Sequence, residues 1–314
     1  MYPDLSYFFH DLLGTPVDNW LGIFKTFGLL VVSAIIVAAL ILRAELRRRA
    51  EAGQFPPSRA KVITSRPLRV TDYVLNALFG FVIGFKLLYI IQHTAEMKAD
   101  PGDVLLSLKG HWLAGLLGAL AFLGYYYWRD GKARALGEQS EMRDIYPHDR
   151  LTEIATVAVI SGVIGAKVFT VIEDLPSFFA NPLGTLFSGD GWTIYGGLIG
   201  GFVGVSWLLK RKNIPALPVF DAVAPALIVA YGVGRLGCHF AGDGDWGIVA
   251  AAQPGWWFLP DWLWAFDYPR NVLNEGVLMQ GCTGDFCHHL VPPVYPTPLY
   301  ETMAAFGIGG ILWG

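Results

Sequence analysis

Seven runs of apolar residues, separated by polar connectors, dominate the sequence. They lie near 20–42, 70–91, 111–127, 151–171, 192–209, 219–240 and 299–314. A helix needs about 20 residues to cross the hydrocarbon core of a bilayer, and most of these runs have or approach that length. None alternates every second residue like a barrel strand, so each backbone must satisfy its hydrogen bonds as a helix. The pattern predicts an all-α polytopic membrane protein with about seven transmembrane helices.

The runs also define the expected domain organisation. We expect one integral membrane domain over residues 1–314, with residues 239–298 forming an aromatic-rich outer loop subdomain. The seventh run stops at Gly314 with no polar cap or basic flank. We therefore expect the chain to be truncated inside a helix.

Composition agrees with a membrane protein. Hydrophobic residues make up 54% of the chain and charged residues only 16%, against roughly 25% charged in soluble domains. The 11 Trp, 37 Gly and 19 Pro exclude a coiled coil, a disordered tail and a disulfide-framework domain. The net charge of -3 carries little information by itself, because a bilayer sorts basic residues by side.

Basic residues concentrate in alternate connectors. The connectors 43–69, 129–150 and 210–212 contain eight, five and three Lys or Arg, which is 16 of the 23 in the chain. Positively charged loops face the cytoplasm, so this distribution predicts an N-terminus outside and an outer 239–298 loop. No basic segment precedes the first run, and we therefore expect a retained helix rather than a cleaved signal peptide.

Two cations inside apolar runs are candidates for function. Ionisable residues within a membrane span are costly and point to a functional site. Most of those in this chain lie near predicted helix ends, where snorkelling or capping explains them. Lys167 and Arg235 differ because glycine accompanies them, in the segments GAK and GRLG. We interpret both as functional cations.

Glycine also shapes the fifth and sixth runs. Residues 195–204 read YGGLIGGFVG, whose small-residue spacing favours close approach of a neighbouring helix. Residues 232–247 place six glycines, Arg235, two carboxylates and one imidazole in a short stretch. A helix does not continue easily through this many glycines. The sequence predicts a helix that ends near His239 and breaks into a glycine-rich turn, with Arg235 about one turn below that end.

Three motifs resemble the prolipoprotein diacylglyceryl transferase family. They are YGGLIG at 195–200, the stretch from GRLG at 234–237 to WG at 246–247, and YPTPLYE at 295–301, with a looser match of GAK at 165–167. The resemblance is weak over 20–50 and good from 148 onward, and residues 51–147 look like an insertion. It implies a bacterial inner-membrane enzyme that moves a diacylglyceryl group from phosphatidylglycerol to the lipobox cysteine of a preprolipoprotein.

The resemblance and the residue chemistry together give the expected site. The catalytic candidates are Arg235, Tyr195, Asp243 and His239. The phospholipid-binding candidates are Arg235, Lys167, Gly196, Gly197, Gly234, Gly237, Gly247, Tyr300 and Glu301. The expected partners are phosphatidylglycerol, preprolipoprotein signal peptides and membrane lipids. We expect no cofactor, no metal ion and no nucleic acid partner.

From its chemistry, Arg235 is expected to bind the phosphate of the lipid. A guanidinium fork suits a phosphodiester, and Arg235 is predicted just below the outer surface, where an outer-leaflet headgroup lies. The flanking glycines are expected to add backbone N–H groups as an anion nest. Lys167 is the second candidate cation. His239 is either a base with a pKa of about 6.5 or a structural cap at the helix end.

Some positions depart from the family pattern. Tyr195 stands where many members have histidine, and Cys238 where they have asparagine. Asp243 replaces glutamate, and Val294 replaces an arginine. A divergent member with the same chemistry and a homologous transferase with another acceptor are both compatible with these differences.

The two cysteines of the outer loop have two interpretations. Cys282 and Cys287 favour a disulfide, because the loop is predicted to face the oxidising side. A Cys/His metal site with His288 and His289 is the less favoured interpretation. Three other functions remain open: a small-molecule transporter, a membrane thiol oxidoreductase, and a structural scaffold in which Arg235 and Lys167 pair with buried acids.

Overall fold

The structure is a computed structural model that describes residues 1–65, 67–99, 104–105, 107–137, 139–187 and 193–314. The helices are α1 (Leu5–Leu13), α2 (Thr26–Glu51), α3 (Val70–Gln92), α4 (Thr94–Ala99), α5 (Trp112–Leu136), α6 (Leu151–Glu173), α7 (Leu175–Ala180), α8 (Pro182–Phe187), α9 (Ile194–Arg211), α10 (Ala216–Ala241) and α11 (Thr297–Trp313). The strands are β1 (Ser58–Ser65), β2 (Gln139–Ile145), β3 (Val277–Leu278) and β4 (His288–His289). Short 3₁₀ turns occupy Trp20–Ile23, Pro147–Arg150 and Asp261–Leu263.

Each predicted apolar run coincides with one of the longer helices. By length and composition, four segments can cross a membrane: Thr26–Glu51, Val70–Gln92, Pro147–Glu173 and Ala216–Ala241. The chain is thus mostly helical, with four candidate membrane spans among the described residues. The other three crossings stay predictions, and Trp192, the first residue of the fifth predicted run, lies outside the described residues.

The chain divides into two compact units. The first combines Met1–Gln54 with Pro215–Gly314, and the second comprises Phe55–Ile214. The expectation of one integral domain over 1–314 stays a prediction.

Two glycine-mediated helix pairs form the second unit. Helix α3 packs on α5, and α6 packs on α9. A Cβ built on Gly80 would lie 2.6 Å from the carbonyl oxygen of Gly118, and one built on Gly196 would lie 2.5 Å from that of Gly165. Since real Cβ atoms do not approach so closely, glycine is what lets these backbones meet. The close approach expected from the glycine spacing of the fifth run is confirmed.

A two-stranded antiparallel ribbon, β1 with β2, joins the polar connectors of the second unit. Ser58 pairs with Ile145 and Arg59 with Asp144. These strands were not expected from the sequence, because they lie in the charged connectors and not in the apolar runs.

The first unit contains the short helix α1, three longer helices that pack together, and a folded loop. Helix α10 packs on both α2 and α11. Between α10 and α11, residues 242–296 fold around a buried cluster of Tyr268, Leu290 and Val294, against which Trp246 and Phe266 pack. The loop is therefore a structured layer at the end of α10 that carries Asp243, Asp245 and the aromatic residues toward α11.

Candidate functional site

The site is built where α10 ends. The helix continues to Ala241, and Gly242 then adopts the left-handed conformation with φ of 65° while its N–H donates to the carbonyl of Cys238 at 2.9 Å. Glycine is favoured at this cap because it has no Cβ to clash. The predicted helix end followed by a glycine-rich turn is confirmed, two residues beyond His239. Arg235 therefore lies between one and two turns below the end.

Arg235 contacts carboxylates from two different elements. Its Nη2 donates to Oε1 of Glu301 at 3.1 Å, and its Nη1 donates to the carboxylate of Asp245 on the glycine-rich turn. Nε lies 2.8 Å from Oε2 of Glu301, but the angle falls short of a hydrogen bond, so this enclosed N–H has no acceptor among the described residues. The guanidinium is thus held on one side by α11 and reaches the turn on the other.

Burial differs sharply between the partners. The Arg235 side chain is 15% exposed, whereas those of Glu301 and Asp245 are 39% and 54% exposed. The scaffold interpretation required Arg235 to pair with buried acids, and neither acid is buried. Another anion can also replace an exposed acid in an ion pair more easily than a buried one, because water solvates the released carboxylate.

Tyr231 is a member of the site that the sequence analysis missed. Its hydroxyl donates to Oε2 of Glu301, and it precedes Arg235 by four residues on the same helix face. Thr302 of α11 links α11 to α10, since its hydroxyl lies 3.0 Å from the carbonyl of Gly232 in α10 and 2.8 Å from that of Pro298 in its own helix. The sequence did contain one indication of this role, because Tyr231 lies four residues before Arg235 and so on the same face of a helix.

Asp243 lies beside two further groups that were not among the candidates. Ligand atoms of Cys238, Asp243 and Asp245 all lie within 4.8 Å of one another. Nη1 of Arg235 also lies 3.5 Å from the Cys238 sulfur, and the Thr297 hydroxyl donates to the Asp245 carbonyl at 2.8 Å. One thiol and two carboxylates can coordinate a cation, but a guanidinium already neutralises one of these acids. The expected absence of a metal stays a prediction.

His239 lies in an aromatic enclosure. Its Nδ1 is 3.2 Å from the hydroxyl of Tyr268, and its ring packs against Phe240, Phe266 and Tyr268. Burial raises the pKa of Tyr268 above its usual value, so this hydroxyl, which any tyrosine keeps protonated at neutral pH, is a still weaker acid here. The contacts favour the structural interpretation of His239 over its use as a base.

The glycines of the candidate site differ in what they touch. A Cβ on Gly237 would lie 3.2 Å from Phe27 of α2, while the same position on Gly234 is open. Both lie inside α10, where N–H groups bond carbonyls four residues earlier, so they do not form the expected anion nest. Gly247 lets the turn approach α11, because a Cβ there would lie 2.8 Å from Thr297. Tyr300, in the first turn of α11, donates its hydroxyl hydrogen to the Leu263 carbonyl.

The remaining candidates belong to the second unit. Tyr195 lies in the first turn of α9 and is 75% exposed. Gly196 and Gly197 follow it and face α6. Lys167 of α6 donates from Nζ to the carbonyl of Thr185 at 3.4 Å. Their part in lipid binding stays a prediction.

The predicted disulfide is confirmed. Cys282 and Cys287 are bonded to each other, and the metal-site alternative for these cysteines is therefore wrong. The bonded loop covers Tyr7, whose hydroxyl donates to Asp18 at 3.1 Å and accepts from the Phe286 N–H at 3.2 Å. The disulfide closes the loop locally, and the hydrogen bonds from Asp285 and Phe286 to Asp18 and Tyr7 hold that loop against the N-terminal segment of the same unit.

Comparison with known proteins identifies relatives. Residues 104–314 match the family model described as prolipoprotein diacylglyceryl transferase. The match includes residues 104–147, which the sequence analysis had assigned to an insertion over 51–147, so that part of the expectation is wrong. No solved structure matches the chain.

The curated relatives carry one activity in their names. The phosphatidylglycerol–prolipoprotein diacylglyceryl transferase of Clostridium tetani is 36% identical over 107 residues, which are 34% of this chain and 43% of that protein. The enzyme of that name from Staphylococcus carnosus is 33% identical over 145 residues, 46% of this chain and 49% of that protein. Transferase 2 of Clostridium perfringens is 29% identical over 171 residues, 54% of this chain and 57% of that protein. The chain spans about half the length of these relatives.

The family match covers well over half of the chain and contains every element of the Arg235 site. Helix α10, the glycine-rich turn and the first turn of α11 all fall within it. This chain belongs to the prolipoprotein diacylglyceryl transferase family.

Proposed function

We propose that this protein transfers the diacylglyceryl group of phosphatidylglycerol to a cysteine thiol of a preprolipoprotein. The observation that carries the proposal is the arrangement of Arg235, which Glu301 anchors on one side and which meets the exposed Asp245 on the other. A guanidinium held in this way has one fixed and one exchangeable ion pair. An incoming phosphodiester takes the place of Asp245.

The chemistry requires a cation at the phosphate. The thiolate sulfur attacks the glyceryl carbon, a sulfur–carbon bond forms, and the bond between that carbon and the phosphate oxygen breaks. Glycerol phosphate leaves with the bonding electrons, and its charge increases as a phosphodiester becomes a phosphomonoester. Arg235 stabilises that charge in a partly buried place, where electrostatic stabilisation is strong.

The thiol must lose its proton before it attacks, because the thiolate is the nucleophile. We assign the acceptor to a carboxylate of the glycine-rich turn, Asp243 or Asp245, since both reach the vicinity of Arg235 and His239 is enclosed by aromatic rings. Tyr231 and Glu301 then orient the guanidinium. Tyr195, Gly196, Gly197 and Lys167 of the second unit are proposed to contact the phospholipid.

The proposed location follows from the charge distribution. We propose a location in the bacterial inner membrane with the N-terminus and the 239–298 loop outside, an orientation that the 16 of 23 basic residues in alternate connectors support. This orientation gives Arg235 access to outer-leaflet lipid. It also puts the Cys282–Cys287 disulfide on the oxidising side.

Reconstitution tests the proposal. The purified chain in vesicles that contain phosphatidylglycerol, with a synthetic peptide carrying one lipobox cysteine, should yield thioether-linked diacylglyceryl peptide and free glycerol phosphate in equal amounts. A cysteine-to-serine peptide and vesicles of phosphatidylethanolamine alone are the matched controls. Absence of the thioether product under conditions where the chain stays folded would overturn the proposal.

A further inference from the structure

A cavity of about 620 Å³ lies in the second unit, between β2 and the start of α6. Its volume is within the range of about 300–1,000 Å³ that is usual for ligand pockets. The side chains that decide its chemistry are Arg143, Ile145, Arg150, Thr152, Thr156 and Val157. None of them belongs to the Arg235 site, and nothing in the proposed mechanism uses the cavity.

Two carboxylates of the cavity wall are already paired with cations. Oδ1 of Asp144 lies 3.4 Å from Nε of Arg59. The oxygens of Glu153 lie 2.7 Å from Nζ of Lys212 and 3.2 Å from Nη1 of Arg150. A cationic ligand at either carboxylate has to compete with these pairs.

Arg143 supplies a cation that has no acid. Within the part of the chain that the structure describes, its side chain forms no ion pair and no hydrogen bond. The third carboxylate of the wall, Asp149, accepts from the N–H of Tyr146 at 3.0 Å. The walls and their ion-pair partners thus contain four cations and three carboxylates: Arg59, Arg143, Arg150 and Lys212 against Asp144, Asp149 and Glu153. This excess of one positive charge favours an anion as the ligand.

Donors that suit phosphate oxygens surround the same space. The Arg150 side chain is 19% exposed, and it commits to Glu153 one N–H of the five that a guanidinium offers. Thr152 and Thr156 stand one turn apart on α6, and neither hydroxyl has a partner among the described residues. Two guanidinium groups and two hydroxyls can therefore donate to one phosphate, and the hydrogen bonds from the guanidinium groups are the strong, charge-assisted kind.

An exposed apolar stripe of α6 leads away from the cavity. Thr156, Ile160 and Ile164 follow one another at intervals of four residues and so share one face of the helix. Ile160 is 56% exposed and Ile164 is 58% exposed. The stripe is about 12 Å long, close to the depth of one leaflet of a hydrocarbon core about 30 Å thick. A ligand with a phosphate in the cavity and an acyl chain along the stripe contacts both surfaces, whereas a soluble phosphate leaves the stripe uncovered.

We infer that this cavity binds the headgroup phosphate of an anionic phospholipid, held by Arg143 and Arg150, whose acyl chain lies along α6. In the proposed orientation this end of α6 faces the cytoplasm, so the lipid comes from the inner leaflet. The proposed donor lipid reaches Arg235 from the outer leaflet and is a different molecule. The inference requires no transfer reaction.

The bound phosphate joins two elements of the second unit. Arg143 belongs to β2 and Arg150 to the 3₁₀ turn that precedes α6, so a phosphate between them bridges the ribbon and the helix. A lipid that binds only when both elements are folded stabilises that arrangement. Added anionic phospholipid should therefore raise the unfolding temperature of the wild type more than that of a variant without Arg143.

The main test measures lipid binding to the full chain in a neutral detergent by native mass spectrometry. The probe is phosphatidylserine, which has the phosphate and the negative charge but not the glycerol headgroup of the proposed donor. Arg143→Gln should raise its Kd about tenfold or more, as expected for the loss of a charge-assisted hydrogen bond. Glu153→Gln should lower the Kd, because it frees Arg150 and Lys212 for the phosphate.

Arg211→Gln is the matched control. Arg211 lies in the last turn of α9, next to Lys212, but it is not among the residues that line the cavity, and its guanidinium lies 4.5 Å from the centroid of the Trp207 ring. This variant should bind the lipid like the wild type. An unchanged Kd in Arg143→Gln, an equal rise in Arg211→Gln, or a higher Kd in Glu153→Gln overturns the inference. So does full displacement of the lipid by an equal concentration of glycerol phosphate, which identifies a soluble ligand instead.

A second measurement locates the lipid in the wild-type protein and does not depend on a variant folding. Phosphatidylserine with a photoreactive group near the start of one acyl chain, irradiated with the protein in phosphatidylcholine vesicles, should label α6 between Thr152 and Ile164. Labelling confined to α10, α11 or the loop between them overturns the inference. Both measurements use binding alone, so a protein that forms no thioether can still confirm this site, and an active transferase can still lack it.

Discussion

Replacing Arg235 by alanine removes the guanidinium that contacts both Glu301 and Asp245. If Arg235 binds the phosphate, this substitution should lower the rate of transfer strongly and the free energy of unfolding only slightly. Lysine at the same position keeps the charge but loses the planar fork that grips Glu301 on one side and an anion on the other. The two substitutions therefore separate charge from geometry.

The expected magnitudes follow from the exposure of the partners. Ion pairs to acids that are 39% and 54% exposed contribute about 0–1 kcal/mol each, so Arg235→Ala should lower the free energy of unfolding by no more than about 2 kcal/mol. Removal of one donor from a charged transition state costs about 10²–10³-fold in rate. Arg235→Ala should lose at least that factor, whereas Arg235→Lys should lose about tenfold, since a single ammonium replaces the fork.

Initial rates of thioether formation in phosphatidylglycerol vesicles, paired with thermal unfolding of the same preparations, give both quantities. Arg270→Ala is the matched control, because Arg270 also forms an ion pair in the first unit, but with Asp11 at 3.1 Å rather than with an acid of the glycine-rich turn. It should lose comparable stability and retain its rate. A folded Arg235→Ala protein with more than a tenth of the wild-type rate would refute the assignment.

Three further predictions address the rest of the chain. Cysteine accessibility should place Arg47 and Lys212 inside and Trp257 outside, and a cytoplasmic Trp257 would contradict the orientation. Tyr195→Phe should slow transfer by about 10²-fold without changing thermal stability, whereas an unchanged rate between pH 6 and 9 would leave its hydroxyl without a chemical role. Burial raises the pKa of Tyr7 to about 12, against about 10 when unfolded, so its contribution to stability is complete below pH 10 and is lost as the pH rises toward 12. Unfolding temperatures should therefore fall more steeply over that interval in the wild type than in Tyr7→Phe.

Hydropathy located the helices because apolar runs determine where a chain can be membrane-buried, but it misplaced their polar ends. The first helix continues from the predicted 42 to Glu51, and the third from 127 to Leu136. In the first case Glu45 is buried and accepts hydrogen bonds from Arg48 and Arg49 at 2.7 Å, pairs that stabilise helix beyond the apolar run. A hydropathy profile counts these residues only as polar.

Candidate site residues could be named from the sequence where a glycine-rich segment or a family motif contains them. Arg235 and Asp243 stand close together in the sequence, and Glu301 came from a motif resemblance. Tyr231 and Asp245 were missed as site members, because their relevance depends on contacts that form only when α11 and the glycine-rich turn meet α10. The expected anion nest failed for a similar reason, since α10 stays helical through both glycines that flank Arg235.

The acids around Arg235 explain how an anion site can remain ready in the absence of its ligand. A lone guanidinium at 15% exposure would be poorly solvated, and Glu301 compensates that cost while Tyr231 fixes the carboxylate. Asp245 occupies the remaining face, but it lies on a turn of glycines and is largely in water. In the proposed mechanism, a phosphate that displaces Asp245 releases a carboxylate that water readily solvates. If Asp245 rather than Asp243 accepts the thiol proton, the proposed mechanism makes binding of the donor lipid and exposure of the proton acceptor one event.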